Sequence, residues 1–229
     1  MKGIILAGGL GTRLRPLTFA IPKPLIPVGD RPILEILIEN LRVHGVVDVY
    51  LAVGYRAELI QLYFQDGSQF GVNIHYSHEE TRLGTAGPLR LVRDRFGLSE
   101  PALVMNADLL TELNFQEFYR FHQHNDAAIT VGVRRHKYVV PYGVVEVEGE
   151  RIRSIEERPT LSFLISSGIY VVNADVLDLV PEGKMFDMPD LIRQALQAGR
   201  SVCAYEIQER WTAIESVGDL TEAAKRGGK

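Results

Sequence analysis

Apolar residues recur along this chain in two rhythms. Short runs, Ile4-Ile5-Leu6-Ala7 and those over 48–53, 72–76 and 102–105, are bounded by glycine, proline or polar residues. That is the pattern of strands buried on both faces of a parallel sheet. Between them apolar positions return every three or four residues. Ile33, Leu34, Ile36, Leu37 and Leu41 predict a helix over 31–44, with Pro32 near its first turn and Gly45 after its end. Further helices are expected over 57–64, 89–96 and 115–124. From about residue 127 the rhythm shortens to a period of two, which predicts strands over 127–134, 143–147, 151–156 and 168–172, joined by turns and added antiparallel to the sheet. A helix over 189–198, strands over 201–207 and 211–215, and a last helix from about 217 complete the chain. Strand alternating with helix makes this an α/β fold, a mixed, mainly parallel sheet flanked by helices.

Composition narrows the picture. The 229 residues are 46% hydrophobic, enough for a substantial core in one domain, with 225–229 a short tail. The formal net charge of −4 argues against nucleic acid or an anionic membrane as the main partner. A single cysteine, Cys203, sits in the alternating run over 201–207, which fits packing in a strand and a reducing, cytoplasmic setting. No apolar run approaches membrane-spanning length, so a soluble, unprocessed chain is expected. Homo-oligomer formation is compatible with these features.

One stretch breaks both rhythms. After the first strand come Gly8, Gly9 and Gly11, then Pro16, Pro22, Pro24 and Pro27, which are expected to break any helix before Arg31. Lys2, Arg13, Arg15 and Lys23 lie here, and no acidic residue precedes Asp30. Backbone N–H groups and convergent cations at the carboxyl end of a first strand describe a phosphate site. The stretch has no Gly-Lys-Ser/Thr triplet, and Leu14 stands where a dinucleotide fingerprint needs its third glycine. Asp108, in Met105-Asn106-Ala107-Asp108, follows another buried strand and so reaches the same sheet edge. A carboxylate there either holds Mg²⁺ against phosphates or caps a turn. A second glycine loop, Leu83-Gly84-Thr85-Ala86-Gly87, stands between a strand and a helix. His122 and His124 lie two apart on a helix, which is poor geometry for chelation.

The string Gly8-Gly9-Leu10-Gly11-Thr12-Arg13-Leu14 with Pro22-Lys23-Pro24 resembles the signature of sugar-phosphate nucleotidyltransferases, which make NDP-sugars from a nucleoside triphosphate and a sugar 1-phosphate. The resemblance spans residues 1 to about 224 and implies a Rossmann-like sheet of the nucleotide-diphospho-sugar transferase kind. It implies a nucleotide-binding half to about residue 110 and a sugar-binding half over about 111–224. Its roles fall on Leu6, Ala7, Gly8, Gly9, Gly11 and Thr12 as nucleotide-binding, Arg13 and Lys23 on the triphosphate, and Asp108 on Mg²⁺. The loop Leu83-Gly84-Thr85-Ala86-Gly87 resembles the base-recognition loop of guanylyltransferases acting on mannose, glucosamine or heptose 1-phosphates. GTP is therefore the favoured nucleotide, with Gly84 and Thr85 at the base and Glu79 reading its edge. Pro141-Tyr142-Gly143 and Glu156-Glu157-Arg158-Pro159 resemble the sugar side, giving Gly143 and Glu157 to the sugar and Arg158 to its phosphate. Phe186-Asp187-Met188-Pro189-Asp190 also resembles a family string, while Asp187 alone reads as a helix N-cap.

Three positions depart from the family pattern. Arg158 replaces a lysine, Ser166-Ser167-Gly168 replaces Asn-Ala-Gly with Ser166 at a sugar-phosphate position, and Trp211-Thr212-Ala213-Ile214-Glu215 replaces Trp-x-Asp-Ile-Gly. The last puts Ala213 where the second metal carboxylate belongs. Glu215, two residues along the expected strand, is the candidate to reach back to the metal from the same face. Two alternatives stand beside the guanylyltransferase reading. One is the same chemistry with dTTP, CTP or UTP; the other is a regulatory protein that binds a nucleotide or NDP-sugar without making one.

Overall fold

The computed structural model describes residues 1–227. Its centre is β1, Lys2–Ala7. β2 and β3, Pro27–Val28 and Arg31–Pro32, form a two-residue ladder. β4, Asp48–Val53, and β5, Asn73–His78, extend the sheet on one side of β1. β6, Ala102–Asn106, lies on the other side. Then come β7, Leu109–Thr111; β8, Ile129–Val139; β9, Gly143–Glu148; β10, Arg151–Glu157; and β11, Thr160–Val172. β12, Val202–Glu206, and β13, Trp211–Ala213, close the set. The seven-stranded sheet runs β12-β8-β11-β6-β1-β4-β5. β4, β1, β6 and β5 are parallel, and β11 enters antiparallel to both β6 and β8.

Alternation along each strand gives the sheet two apolar faces. Ile5, Leu51 and Met105 point to one side and meet three helices: α2 (Ile33–Val43), α3 (Ala57–Phe64) and α5 (Phe115–His124). Ile4, Val104 and Tyr50 point to the other and meet α4 (Gly87–Phe96) and α6 (Met188–Gln197). A parallel strand covered on both faces needs this apolar continuity, which is why the runs read without alternation. A third cluster joins Leu14, Ile26 and Ile33 to Ile214, with Leu220 and Ala223 of the C-terminal helix Val217–Gly227 packed on it. This cluster pins the glycine-proline stretch to the end of the chain.

Several boundaries differ from those the sequence predicts. Prolines do not keep the 12–25 stretch free of helix: Leu17–Ala20 forms a single helical turn, α1, with tighter turns at Thr12–Leu14 and Lys23–Leu25. Arg31 and Pro32 belong to β3, so α2 begins at Ile33. β8 and β11 are longer than expected. Beyond the sheet they continue as an exposed ribbon, pairing Arg134 through Val139 with Thr160 through Ile165. β9 and β10 form a separate two-stranded hairpin instead of joining the main sheet. β13 pairs with β7 and ends at Ala213, so Glu215 is not on the strand.

One polar group is held deep in the second half. His122, 2% exposed, is bonded through Nδ1 to Thr130 Oγ1 and through Nε2 to Asn173 Oδ1, each at 2.9 Å. Burial lowers its pKa, favouring the neutral ring. Phe118, on the same helix and fully buried, packs edge-on against Tyr205 of β12 with ring centroids 5.2 Å apart. Phe118→Ala is expected to cost about 3–5 kcal/mol, read as a shift in chemical denaturation midpoint at unchanged slope.

Candidate active site

The carboxyl ends of β1 and β6 are adjacent and in register, Leu6 opposite Asn106. The chain leaves both strands at one edge, where Ala107 N–H donates to Leu6 O at 3.1 Å. A crevice outside the carboxyl ends of parallel strands is where open α/β sheets take ligands. Here it is a cleft of about 450 Å³ lined by Leu6, Ala7, Gly8, Gly9, Gly11, Lys23, Glu79, Gly84, Thr85 and Asp108. These ten sequence-derived candidates, drawn from three separate parts of the chain, therefore converge. Arg82, Asn106, Met185 and Asp187 complete much of the wall. Thr12 and Arg13 line an adjoining recess of about 250 Å³ that shares Gly11, Lys23 and Arg82 with the cleft.

Lys23 Nζ donates to Asp108 Oδ2 in a largely buried ion pair. Thr18 Oγ1 donates to Gly11 O at 2.9 Å and fixes the turn that carries Arg13. A Cβ on Gly8 would press on Glu79 Oε1, the end of a flexible side chain, so the first loop and the Glu79 carboxylate lie close together. Glu79 is half-buried and its Oε2 accepts from Leu83 N–H at 3.2 Å. Burial raises its pKa, opposed by the Leu83 N–H and the Arg82 charge. The carboxylate keeps acceptor capacity beyond that one backbone bond.

Other candidates sit apart from this cleft. Arg13 is exposed and pairs with Glu215 Oε1 at 2.6 Å. Glu215 therefore meets the cation of the first loop from beyond the end of β13, and the strand face expected for it with position 213 does not exist, because the strand ends at Ala213. Ala213 itself is close to the acidic group: it pairs with Leu109, and Ile214 N–H donates to Asp108 O at 2.9 Å. Gly143, Glu157 and Arg158 cluster at the open end of the β9–β10 hairpin, where Arg158 N–H donates to Tyr142 O at 3.3 Å. They are not among the residues lining the cleft. Ser166 lies at the irregularity where β11 shifts register, bonded to Tyr170 OH at 2.9 Å. Two residues on, a Cβ at Gly168 would stand 2.7 Å from Asn106 Nδ2, which places this bulge against the cleft wall.

Asn106, Arg82 and Met185 line the cleft without being expected there, and Asp187 does so beyond the helix cap that its own position suggests. Asn106 was readable, since it ends the strand that carries Asp108. Asp187 was not, because its partner is 102 positions away: its Oδ1 accepts from Thr85 N–H at 2.9 Å and Thr85 Oγ1 at 3.2 Å.

Known proteins resemble this chain along most or all of its length. The family model described as Nucleotidyl transferase matches residues 2–227. A probable mannose-1-phosphate guanylyltransferase 1 of Oryza sativa subsp. japonica is 40% identical over 187 residues, 79% of this chain and 52% of its own. A UTP–glucose-1-phosphate uridylyltransferase of Synechocystis is 34% identical over 244 aligned positions, 98% of this chain and 63% of its own. The chain thus spans between about half and two thirds of these relatives' length. Among solved structures, a putative glucose-1-phosphate thymidylyltransferase from Bacillus anthracis superposes with a TM-score of 0.79 at 25% identity, covering 99% of this chain and 94% of that one.

Burial of Glu79 has a measurable consequence. A carboxyl whose folded pKa is raised costs nothing while protonated in both states, and destabilises the fold as pH rises through that value. Glu79→Gln keeps the acceptor for Leu83 and removes the charge. The variant is expected to melt above the parent chain near pH 8, with the gap closing as pH falls toward the ordinary value of 4.5. A gap independent of pH would show that burial of this charge is not the cause.

Proposed function

We propose that this chain, which belongs to the nucleotidyl transferase family, joins a nucleoside triphosphate, GTP by preference, to a hexose or heptose 1-phosphate and releases pyrophosphate. The observation that carries the reading is the convergence in one cleft of the Gly8–Gly11 loop, the Lys23–Asp108 pair and the Glu79–Thr85 loop. In the reaction an oxygen of the sugar 1-phosphate attacks the α-phosphorus, a new P–O bond forms, and the bond to the β-phosphate breaks. A phosphate monoester with a second pKa of about 6 is already ionised at neutral pH, so the step needs no general base. The protein's work is then to hold three anionic groups in line and offset their charge.

Each group in the cleft has a place in that work. Backbone N–H groups of the first loop and the Lys23 ammonium face the triphosphate. Glu79 accepts from the N1–H and N2–H₂ of guanine, which would supply donors to a half-buried carboxylate that has one from the backbone. The oxygen donor of Asp108 suits Mg²⁺, which takes one or two carboxylates together with substrate phosphates. No cluster of three His, Cys, Asp or Glu occurs among the described residues. When bound, the ion neutralises phosphate charge. Lys23 must exchange Asp108 for phosphate as the site fills. Arg13 must likewise leave Glu215 to reach the triphosphate, and only that move would free Glu215 as a second oxygen donor for the metal.

The sugar-side candidates are Gly143, Glu157 and Arg158 at the β9–β10 hairpin and Ser166 at the β11 bulge. We assign them to sugar and sugar-phosphate binding, with the chain divided near residue 110 into nucleotide and sugar halves. The loop around Gly84 favours GTP, as does the name of the rice relative; the cyanobacterial relative's name makes UTP the runner-up. Ala213 beside Asp108 gives the non-catalytic binding protein its specific support, since one of the two expected carboxylates is absent.

The test is pyrophosphate release with Mg²⁺ across GTP, ATP, UTP, CTP and dTTP, each paired with mannose, glucosamine, glucose and heptose 1-phosphates. Release is expected with GTP and one of these sugars. Release confined to another base would move the assignment of Glu79 and Gly84, and nucleotide binding without release from any pair would favour the binding protein.

A further inference from the structure

The second glycine loop does not hold its own shape. Leu83 O accepts from Phe186 N–H at 2.9 Å, and Phe186 O accepts from Ala86 and Gly87 N–H at 2.9 and 3.1 Å. Thr85 N–H and Oγ1 donate to Asp187 Oδ1, while Thr85 Oγ1 accepts from Met188 N–H at 2.8 Å. These bonds stitch residues 83–87 to 186–188. Gly84 has φ +79°, and a Cβ on it would stand 2.6 Å from Phe186 O, so the two segments touch with no room for a side chain. Asp187 itself is held from behind, its N–H donating to Asp190 Oδ2 at 3.3 Å at the start of α6. The loop's geometry is therefore set by a segment about a hundred residues downstream that contributes Met185 and Asp187 to the cleft wall.

We infer that Asp187, acting through Thr85, is the positioning residue for base selection. The inference rests on the proposed role of the Glu79–Thr85 loop in reading the base. Selectivity among bases requires donors and acceptors fixed to within a few tenths of an ångström, which a glycine loop supplies only when neighbouring groups lock it. Asp187 Oδ1 is the single acceptor on which both the backbone and the hydroxyl of Thr85 converge, and that hydroxyl passes the constraint on to the first residue of α6. Phosphate-binding groups lie on other segments, so loss of the lock should blur the choice of base and leave the sugar substrate's binding in place. Asp187 is thus more than a helix cap: its side chain works on a loop outside its own helix.

The experiment compares kcat/KM for GTP with that for ATP, UTP, CTP and dTTP in the parent chain and in Asp187→Ala, Asp187→Asn and Thr85→Val, at a fixed sugar 1-phosphate. Hydrogen bonds to a charged acceptor support a loss of roughly tenfold in the preferred-to-next ratio for Asp187→Ala, with KM for the sugar 1-phosphate within about twofold. Asp187→Asn keeps an acceptor oxygen and should restore most of the ratio. Thr85→Val should lose part of it while retaining the bond from its N–H. Melting temperatures identify any variant that fails to fold, and the remaining two then carry the comparison. An undiminished ratio in Asp187→Ala overturns the inference, and so does an Asp187→Asn as impaired as the alanine, which would mark a direct charge contact with substrate. A parent chain with no preference among the triphosphates overturns the base-loop reading and the inference with it.

Discussion

Lys23 and Asp108 form an ion pair that joins two segments 85 positions apart at the carboxyl ends of β1 and β6. Neither partner is free to sit elsewhere. Lys23 lies in a tight turn between prolines, held to the core through Leu14 and Ile26, and Asp108 follows a strand with no exposed apolar residue. A partly buried pair of this kind costs desolvation that its attraction only about offsets, so stability is a weak reason for it. On the proposed function, the pair keeps a cation oriented toward the cleft beside a carboxylate, and an anionic ligand and a divalent ion would separate the two. The glycine loop, the recess holding Thr12 and Arg13, and the wall carrying Glu79 are all arranged around this pair.

The same logic repeats at lower burial. Arg13 rests on Glu215, exposed and screened by water, where an ion pair is worth little. Phosphate competes easily for such a guanidinium. Two cations near the cleft thus rest on carboxylate partners, one pair sheltered and one exposed. The C-terminal helix contributes through Leu220 and Ala223, packed on the cluster that holds Leu14 and Ile214.

How much of this was legible in the sequence follows from how far apart the interacting groups are. Buried parallel strands announce themselves as apolar runs, so β1, β4 and β6 and the helices between them were readable, and with them the edge where Gly8, Lys23 and Asp108 meet. Four prolines obscure the single helical turn at 17–20, which tertiary contacts support. The outer half of the β8–β11 ribbon carries Arg135, His136 and Lys137, a polar run without apolar alternation, so the sequence ends the strand at 134 although these residues pair across strands. Counting along the chain extends β13 to Glu215, but the strand ends at Ala213 when its partner β7 runs out. Asp187 carried a local signal strong enough to hide its distant one: capping chemistry is written within four residues, while the bonds to Thr85 require the fold.

The most direct test of the central pair is equilibrium binding of GTP to the parent chain, Lys23→Ala and Asp108→Ala, with and without Mg²⁺. If Asp108 restrains Lys23 in the empty site and serves the metal in the filled one, its removal has opposite signs in the two conditions: tighter GTP binding without Mg²⁺ and weaker binding with it, while Lys23→Ala weakens both. An Asp108→Ala effect of the same sign in both conditions would contradict the account.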